Sequence, residues 1–269
     1  MKKVLSVFMC IGLMIGLVGC GSSESKGSAK KEYVSEKDIK KVYSDPEKYE
    51  GKYIKVSGQV FLEPETDDDA IYFQMFADPE NSNLNTLVSY NKTEFEINDG
   101  DYVEIDGRIT GGFDGENAFG GSVSAVKVIA NKVKKSSYIN VVSPTIKEVV
   151  TDGLVNSQNG VDISISKVEF AKKETRVYYK VTNNSGSNYS FYDFNMKAVQ
   201  NGKQIETESN YKANYPSVSG DILNGITSEG IASFPSLEQA NFEIHFDRGY
   251  SDNYDLDFND FTLSIVVNK

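Results

Sequence analysis

Short runs in which apolar and polar side chains alternate extend from about residue 53 almost to the last residue. Successive side chains of an extended strand point to opposite faces, so this alternation predicts half-buried β-strands. Gly, Asn, Ser and Pro separate the runs, as turns require. The pattern predicts a mainly β protein.

Cysteine usage shows how such a fold must be held together. Cys10 and Cys20 are the two cysteines, and none follows Cys20. No disulfide framework can therefore form within the β-rich part of the chain. Its stability must come from buried apolar side chains, which two domains of roughly 100–130 residues can supply.

The first predicted domain covers residues 33–135. Ser35 is a candidate N-cap for a short helix whose apolar residues have i, i+3, i+4 spacing. Five strands should follow, and Gly58 and Gly107 should mark bends in two of them. These strands are expected at 53–60, 70–76, 86–90, 100–109 and 122–129. A helix followed by five short, bent strands predicts a small OB-like barrel.

The second predicted domain covers residues 140–269, after a connector at 136–144. Asn201-Gly202 is a strong hairpin-turn signal. Strands are expected at 161–170, 176–183, 189–199, 226–234, 241–246 and 261–267. Six or more short strands with regular turns predict an immunoglobulin-like antiparallel β-sandwich.

The N-terminus has the layout of a secretory signal peptide at residues 1–19. Lys2 and Lys3 precede an apolar run at 4–18, which is shorter than the roughly 20 residues of a membrane-spanning helix. A Gly-, Ser- and Lys-rich stretch then follows, so residues 20–32 are expected to form a flexible tether. These features predict export from the cytoplasm.

The end of the apolar run resembles the lipobox of bacterial lipoproteins. Leu17, Val18 and Gly19 precede Cys20 in the order of that motif. The resemblance implies cleavage before Cys20 and attachment of lipid to its thiol. Two or more acyl chains hold a protein stably on a membrane. The mature chain is therefore expected on the extracytoplasmic face of the cell membrane.

Two further resemblances concern the predicted domains. The run VSEKDIKKVYSDPEKYEGKYIKVSGQV, followed by DGDYVEIDGRITG, resembles the tRNA-anti-like OB-fold domain of bacterial lipoproteins. The elements ISISKVEF, RVYYKVTNNS and ILNGITSEGIASFP resemble DUF4352-like immunoglobulin-like domains of Gram-positive lipoproteins. The two families imply a fold and a location, but no activity.

Charge disfavours nucleic-acid partners. The formal net charge is −11, and loss of Lys2 and Lys3 with the signal peptide makes the mature chain two charges more negative. Nucleic-acid binding requires a basic patch, and acidic residues outnumber basic ones in the first domain. Negative charge also opposes adsorption to anionic lipid, so membrane attachment is expected through the anchor.

The residue types offer little for catalysis. His245 is the sole histidine, and it lies in the alternating run FEIHF, where it should face away from the apolar side. With a single histidine a catalytic triad is hard to build, and no Cys/His set for zinc exists after Cys20. We therefore expect a protein that is not an enzyme and has no cofactor.

An acidic segment near the C-terminus raises the alternative of a calcium site. Asp252, Asp255 and Asp257 offer oxygen ligands at close spacing, which suit a hard cation. No EF-hand pattern is present, and a solvated acidic loop is the competing interpretation.

Tyrosines are the other candidate binding residues. Tyr211, Tyr215 and Tyr250 fall in expected loops and could contact a sugar or a protein. Core packing explains Phe191 or Phe194 more simply.

Together these features predict a membrane-anchored, non-catalytic lipoprotein whose β-domains bind a cell-surface protein or glycan or serve as a spacer. The alternative is a lipoprotein that captures a small ligand or metal ion and assists a transporter.

Overall fold

The computed structural model describes residues 31–116 and 120–268, in which strands far outnumber helices. The mainly β composition and the short helix near the N-terminal end are thereby confirmed. The chain divides into two compact units, the first ending at Ser137 and the second beginning at Tyr138. This boundary lies within the expected connector.

The first unit begins with a helix and continues as a series of strands. Its elements are α1 (Ile39–Ser44), β1 (Tyr53–Val60), β2 (Glu65–Thr66), β3 (Ile71–Asp78), β4 (Asn83–Tyr90), β5 (Tyr102–Glu116) and β6 (Ser122–Lys135). The order of pairing in its sheet is β1-β5-β6-β4-β3-β2, and β1 also pairs with β3. These pairings lead from β1 back to β1, so five strands form a closed ring. All pairs are antiparallel except β4 with β6.

Gly58 lies next to the pairing that closes the ring. An added Cβ at this position would stand 2.3 Å from the carbonyl oxygen of Phe76. Gly107 is similarly close to β6, where the register between β5 and β6 shifts. The two glycines thus allow the close backbone approach that a small, strongly bent sheet needs.

The short helix α1 packs on the ring's apolar core. Val42 is fully buried with that core, and the Tyr43 hydroxyl is 2.7 Å from Thr86 Oγ1. Burial raises the pKa of Tyr43 to about 12. Ser35 does not form the expected backbone cap, because its hydroxyl donates instead to the Asp38 carboxylate at 2.6 Å.

The second unit begins with a single helical turn and then contains strands of unequal length. They are α2 (Tyr138–Val141), β7 (Thr145–Gln158), β8 (Val161–Ala171), β9 (Glu174–Asn183), β10 (Tyr189–Ser190), β11 (Lys197–Gln200), β12 (Lys203–Glu206), β13 (Asp221–Ile222), β14 (Ile226–Pro235), β15 (Phe242–Phe246), β16 (Tyr250–Ser251) and β17 (Phe261–Ile265). Two four-stranded sheets have the orders β14-β9-β8-β7 and β12-β11-β15-β17, and a small sheet has the order β13-β10-β16.

Both four-stranded sheets contribute to one apolar core. Ile163 and Val177 come from the first sheet and Ile244 and Leu263 from the second, and all four are buried in the same cluster. The alternation visible in the sequence therefore identified the inward faces of these strands.

Two expectations for the second unit are wrong. The segment 189–199 is not one strand: it contains β10, a 3₁₀ turn at Asp193–Asn195 and β11, which belong to different sheets. Strand β7 was not expected at all. Its register against β8 shifts twice, and these irregularities interrupt the period-two pattern that would have revealed it.

The turn at Asn201-Gly202 forms as expected. Both residues have positive φ, 53° and 71°, and Gln200 pairs with Lys203 across them. This geometry is typical of a two-residue hairpin, and it adds the short strand β12 to the sheet edge.

Candidate functional site

The candidate lipid anchor rests on the most specific motif in the sequence, the lipobox. Leu17, Val18, Gly19 and Cys20 lie outside the described residues. The lipid anchor therefore stays a prediction from the sequence.

The acidic segment near the C-terminus forms an exposed loop after β16. Asp252, Asp255 and Asp257 are all exposed. Among the described residues, no three His, Cys, Asp or Glu side chains are grouped so that they could hold a metal ion. The structure thus does not bring these three carboxylates together as a ligand set.

The three candidate tyrosines occupy different environments. Tyr211 is 91% exposed and Tyr250 is 54% exposed, as expected for surface residues. Tyr215 is only half-buried rather than free on the surface, because its hydroxyl donates to Glu174 at 2.7 Å and its ring packs against Tyr138. Tyr215 therefore lies in the wall of a pocket, with its hydroxyl bonded inside the protein.

That pocket is formed by the loop after β12 together with β14 and the 3₁₀ turn at Asp193–Asn195. Its volume is about 330 Å³. Phe194 and Tyr211 both line it, and Phe194 is 70% exposed instead of buried in the core. The rest of the wall combines apolar or aromatic side chains with polar ones. The first group is Tyr179, Tyr215, Pro216, Ile231 and Ala232, and the second is Asp193, Thr207, Glu208, Ser209, Asn210, Asn214, Ser217 and Ser233. Exposed rings above convergent polar groups are typical of a binding site.

A strip of aromatic rings continues from this pocket. The Phe194 ring lies 5.8 Å from the Tyr192 ring, which lies 6.1 Å from the Tyr250 ring, measured between centroids. The Arg248 guanidinium stands over Tyr250 at 5.4 Å from its centroid. We call Tyr192, Phe194 and Tyr250 the aromatic strip. The strip connects Tyr250 to the pocket that Tyr211 lines, and the sequence predicts both tyrosines as binding residues.

Beside the pocket, on β9, lies a charged network that the sequence did not reveal. Arg176 is fully buried, and its guanidinium contacts Glu169 at 2.9 Å and Glu174 at 2.7 Å. The same group donates to the Ser143 carbonyl at 2.9 Å and to Thr145 Oγ1 at 2.7 Å. Arg176 therefore ties the connector and the start of β7 to the sheet.

Glu174 extends this network to the pocket. Its carboxylate accepts hydrogen bonds from Asn210, Tyr215 and Ser233, at 3.2, 2.7 and 2.9 Å. Asn210 and Tyr215 belong to the loop that forms the pocket wall, and this loop has no strand of its own. The network thus holds an irregular loop in place against β9 and β14.

The network also shifts the pKa values of its carboxyl groups. Burial alone would raise the pKa of Glu174, but hydrogen bonds from Tyr215, Ser143, Arg176 and Ser233 outweigh it and hold that pKa below its usual value. The pKa of Glu169 is lowered by the same balance, with Lys167 and Arg176 as the main donors. Both carboxylates are therefore stabilised in their ionised form.

For the residues of this network on β9, the sequence pattern predicts exposure to solvent instead of burial. Glu174, Arg176 and Tyr178 alternate with the apolar face of β9, so they read as its solvent-exposed face. In the structure the connector and the pocket loop cover that face. Burial here depends on segments that are distant in sequence, and no local pattern reports it.

His245, the sole histidine of the sequence, lies on β15 between two polar side chains. Its ring is half-buried, with Nε2 at 3.3 Å from the Glu243 carboxylate and Nδ1 at 3.1 Å from the Thr262 hydroxyl. Neither partner belongs to the pocket wall.

The first unit has a larger groove, of about 480 Å³. Two of its lysines face carboxylates of the same groove, Lys55 beside Asp106 and Lys134 beside Glu104, both at 3.8 Å. Charges that face each other in this way leave little net field for a ligand. The pocket of the second unit, with its exposed rings, is the better candidate site.

Comparisons with known proteins found similar solved structures at low sequence identity. No family model matches the chain, and no curated protein matches it either. A solved structure from Listeria monocytogenes EGD-e, described as functionally unknown, shares 11% identity with a TM-score of 0.36; it covers 47% of this chain and 88% of its own. The yjhA protein of Bacillus subtilis shares 11% identity with a TM-score of 0.35, over 42% of this chain and 97% of its own.

Among the residues that the structure describes, no helix is long and apolar enough to cross a bilayer.

Proposed function

We propose that this chain is an extracytoplasmic lipoprotein, anchored through lipid on Cys20, that binds a cell-surface glycan or protein without catalysing a reaction. The observation that carries the binding role is the pocket bordered by Phe194 and Tyr211. Two large rings are exposed there above a loop that buried hydrogen bonds hold in place. Rigid aromatic side chains contribute much of the energy of recognition surfaces.

The finer fold assignment is part of this proposal. The first unit is taken as an OB-type barrel, supported by its closed five-strand ring and its single parallel pair, β4 with β6. The second is taken as an immunoglobulin-like sandwich, supported by two four-stranded antiparallel sheets around one core. Such scaffolds commonly carry binding surfaces on their loops.

The anchor is tested by replacing each cysteine in turn. Cys20→Ala should abolish lipid attachment and should either release the protein from the membrane fraction or leave it uncleaved. Cys10→Ala, within the same apolar run, is the matched control and should behave like the wild type. Lipid labelling and membrane fractionation measure both. Normal processing and retention of Cys20→Ala would show that the anchor assignment is wrong.

Surface binding is tested separately. Crosslinking on intact cells, followed by recovery of the protein, should recover a wall or membrane component attached to the second unit. Recovery of none, with binding of a soluble ligand instead, would favour the alternative of a capture protein that assists a transporter.

A further inference from the structure

We infer that the pocket and the aromatic strip of the second unit bind an uncharged saccharide chain. This inference rests on the proposed binding function and specifies its ligand. A protein partner is the competing outcome of the experiments below.

The aromatic rings supply the first part of the argument. Phe194 and Tyr211 are exposed by 70% and 91%, yet both border one pocket. Leaving such rings in water costs free energy that a ligand with an apolar face can recover. The C–H faces of a pyranose ring offer such a surface, while the hydroxyl groups at its edge remain available for hydrogen bonds.

The polar groups of the wall supply the second part. They comprise hydroxyls of Thr207, Ser209 and Ser217, the amide of Asn214, and the carboxylates of Asp193 and Glu208. Hydroxyls and amides can both donate and accept hydrogen bonds, and carboxylates accept them. A sugar edge presents hydroxyls that do both, so this mixture matches a polyol better than a purely apolar peptide side chain.

Charge decides between classes of saccharide. Among the described residues that line the pocket, none is Lys, Arg or His, whereas two are acidic. The chain as a whole carries a net charge of −11. Inside the pocket an anionic ligand would meet repulsion without a cation to pair with, and burying an unpaired charge is costly. Arg248 stands over Tyr250, at the other end of the strip, and does not line the pocket. Uronates, sulfated sugars and phosphate-bearing polymers are therefore disfavoured.

The pocket volume and the aromatic strip bear on ligand length. A volume of about 330 Å³ is near the lower end of the roughly 300–1,000 Å³ of small-ligand sites. From Phe194 the strip continues through Tyr192 to Tyr250 at centroid spacings of 5.8 and 6.1 Å. A short oligosaccharide would fill the pocket, and a longer chain would also cover the strip.

The buried network keeps this surface ordered before a ligand binds. Glu174 holds Asn210 and Tyr215 on the inner side of the pocket loop, and the loop also bonds to β14 through Glu208 N to Ser233 O at 2.8 Å. A loop that is already ordered loses less conformational entropy on binding. This matters for saccharides, whose individual contacts are weak.

The test measures binding of oligosaccharides to the full-length chain in detergent by calorimetry. The neutral probes are chitotetraose, cellotetraose and mannotetraose, and the anionic probe is a galacturonate tetrasaccharide. At least one neutral probe should bind, and the galacturonate should not. Phe194→Ala and Tyr211→Ala should each weaken binding of that neutral probe about tenfold, as expected for a central aromatic contact. Tyr254→Ala, which removes a tyrosine that is 98% exposed but outside the pocket wall, is the control and should leave affinity unchanged.

A second variant tests the strip. Tyr250→Ala should weaken a longer oligomer of the preferred sugar by several-fold while leaving its disaccharide unaffected. Equal effects on both lengths would contradict the assigned role of the strip.

The results that would overturn the saccharide inference can be told apart from those that would overturn the proposed surface-binding function. If no neutral probe binds, or if the galacturonate binds best, the saccharide inference is wrong. If in addition the purified Cys20→Ala chain, which has no lipid, still attaches to isolated cell envelopes and prior protease treatment of those envelopes abolishes the attachment, the partner is a protein and the surface-binding function stands. If a neutral probe binds and is cleaved to shorter products, the ligand class stands and the non-catalytic assignment fails.

Discussion

Replacing Arg176 with Met tests whether the buried network stabilises the second unit. The guanidinium is fully buried, and the side chains of its two carboxylate partners, Glu169 and Glu174, are only 7% and 8% exposed. Met fills much of the same space but removes the positive charge. Glu174 then remains buried without a cation, and the Ser143 carbonyl loses its donor.

The expected cost follows from this geometry. Breaking a buried ion pair by removing one partner costs about 3–5 kcal/mol, because a buried charge remains uncompensated. Hydrogen exchange measured on peptides from β9 reports the opening free energy of this region. At about 1.4 kcal/mol per tenfold, exchange through full opening should accelerate by roughly two to four powers of ten.

Lys180→Met provides a matched control on the same strand. Lys180 pairs with Glu229, but the two side chains are 44% and 63% exposed. Exposed pairs contribute about 0–1 kcal/mol, so exchange should change by less than about tenfold. A triple variant that adds Glu169→Gln and Glu174→Gln to Arg176→Met should recover much of the loss, since it leaves no buried charge. If Arg176→Met exchanges like Lys180→Met, the network does not stabilise the unit and the reasoning fails.

Two other outcomes are expected. The pKa of Glu174 is depressed below its ordinary value of 4.5, so its stabilising contribution is present above that pH and is lost as pH falls through the lower, folded-state pKa. In Glu174→Gln, hydrogen exchange of β9 should therefore depend less on pH in the acidic range than it does in the wild type. An unchanged pH dependence would contradict this assignment. In the first unit, Gly58→Ala should cost about 3 kcal/mol or more by hydrogen exchange, because the added Cβ would meet the Phe76 carbonyl oxygen at 2.3 Å. Gly220→Ala in the second unit is the control and should change stability by no more than about 0.5 kcal/mol, because the space around it is open. Equal effects would refute the steric argument.

Much of the strand content was predictable, because it is encoded locally. The runs at Tyr53–Val60 and Phe242–Phe246 alternate regularly, and Val161–Ala171 alternates up to a bulge after Ile165. Each forms a strand close to its expected bounds. The Asn201-Gly202 turn was predictable for the same reason, since its backbone conformation depends on its own two residues. Strand β7 and the break within 189–199 were not, because bulges and changes of sheet interrupt the period.

The candidate site was predictable only in part. Tyr211 and Tyr250 were identified as exposed tyrosines from loop-like sequence around them. Core packing was expected for Phe191 or Phe194; Phe191 is buried, whereas Phe194 is 70% exposed. Tyr215 is half-buried and borders the pocket, with its hydroxyl bonded to Glu174. A 3₁₀ turn carries Phe194 outward, and a buried glutamate from another strand holds Tyr215, so neither position follows from nearby residues.

By itself, the sequence determined the β-strand periodicity, the Asn201-Gly202 turn and the acidic charge, because each depends on a short segment or on composition. Lipid attachment at Cys20 stays a prediction from its motif. Tertiary structure decided which outward-facing charges became buried and which aromatic rings remained in water. Arg176 and Glu174 both lie on β9, whereas Ser143 of the connector and Tyr215 of the pocket loop come from distant parts of the chain. Only the packing of those segments on β9 removes the two charged side chains from solvent. The same packing places Phe194 and Tyr211 on one pocket.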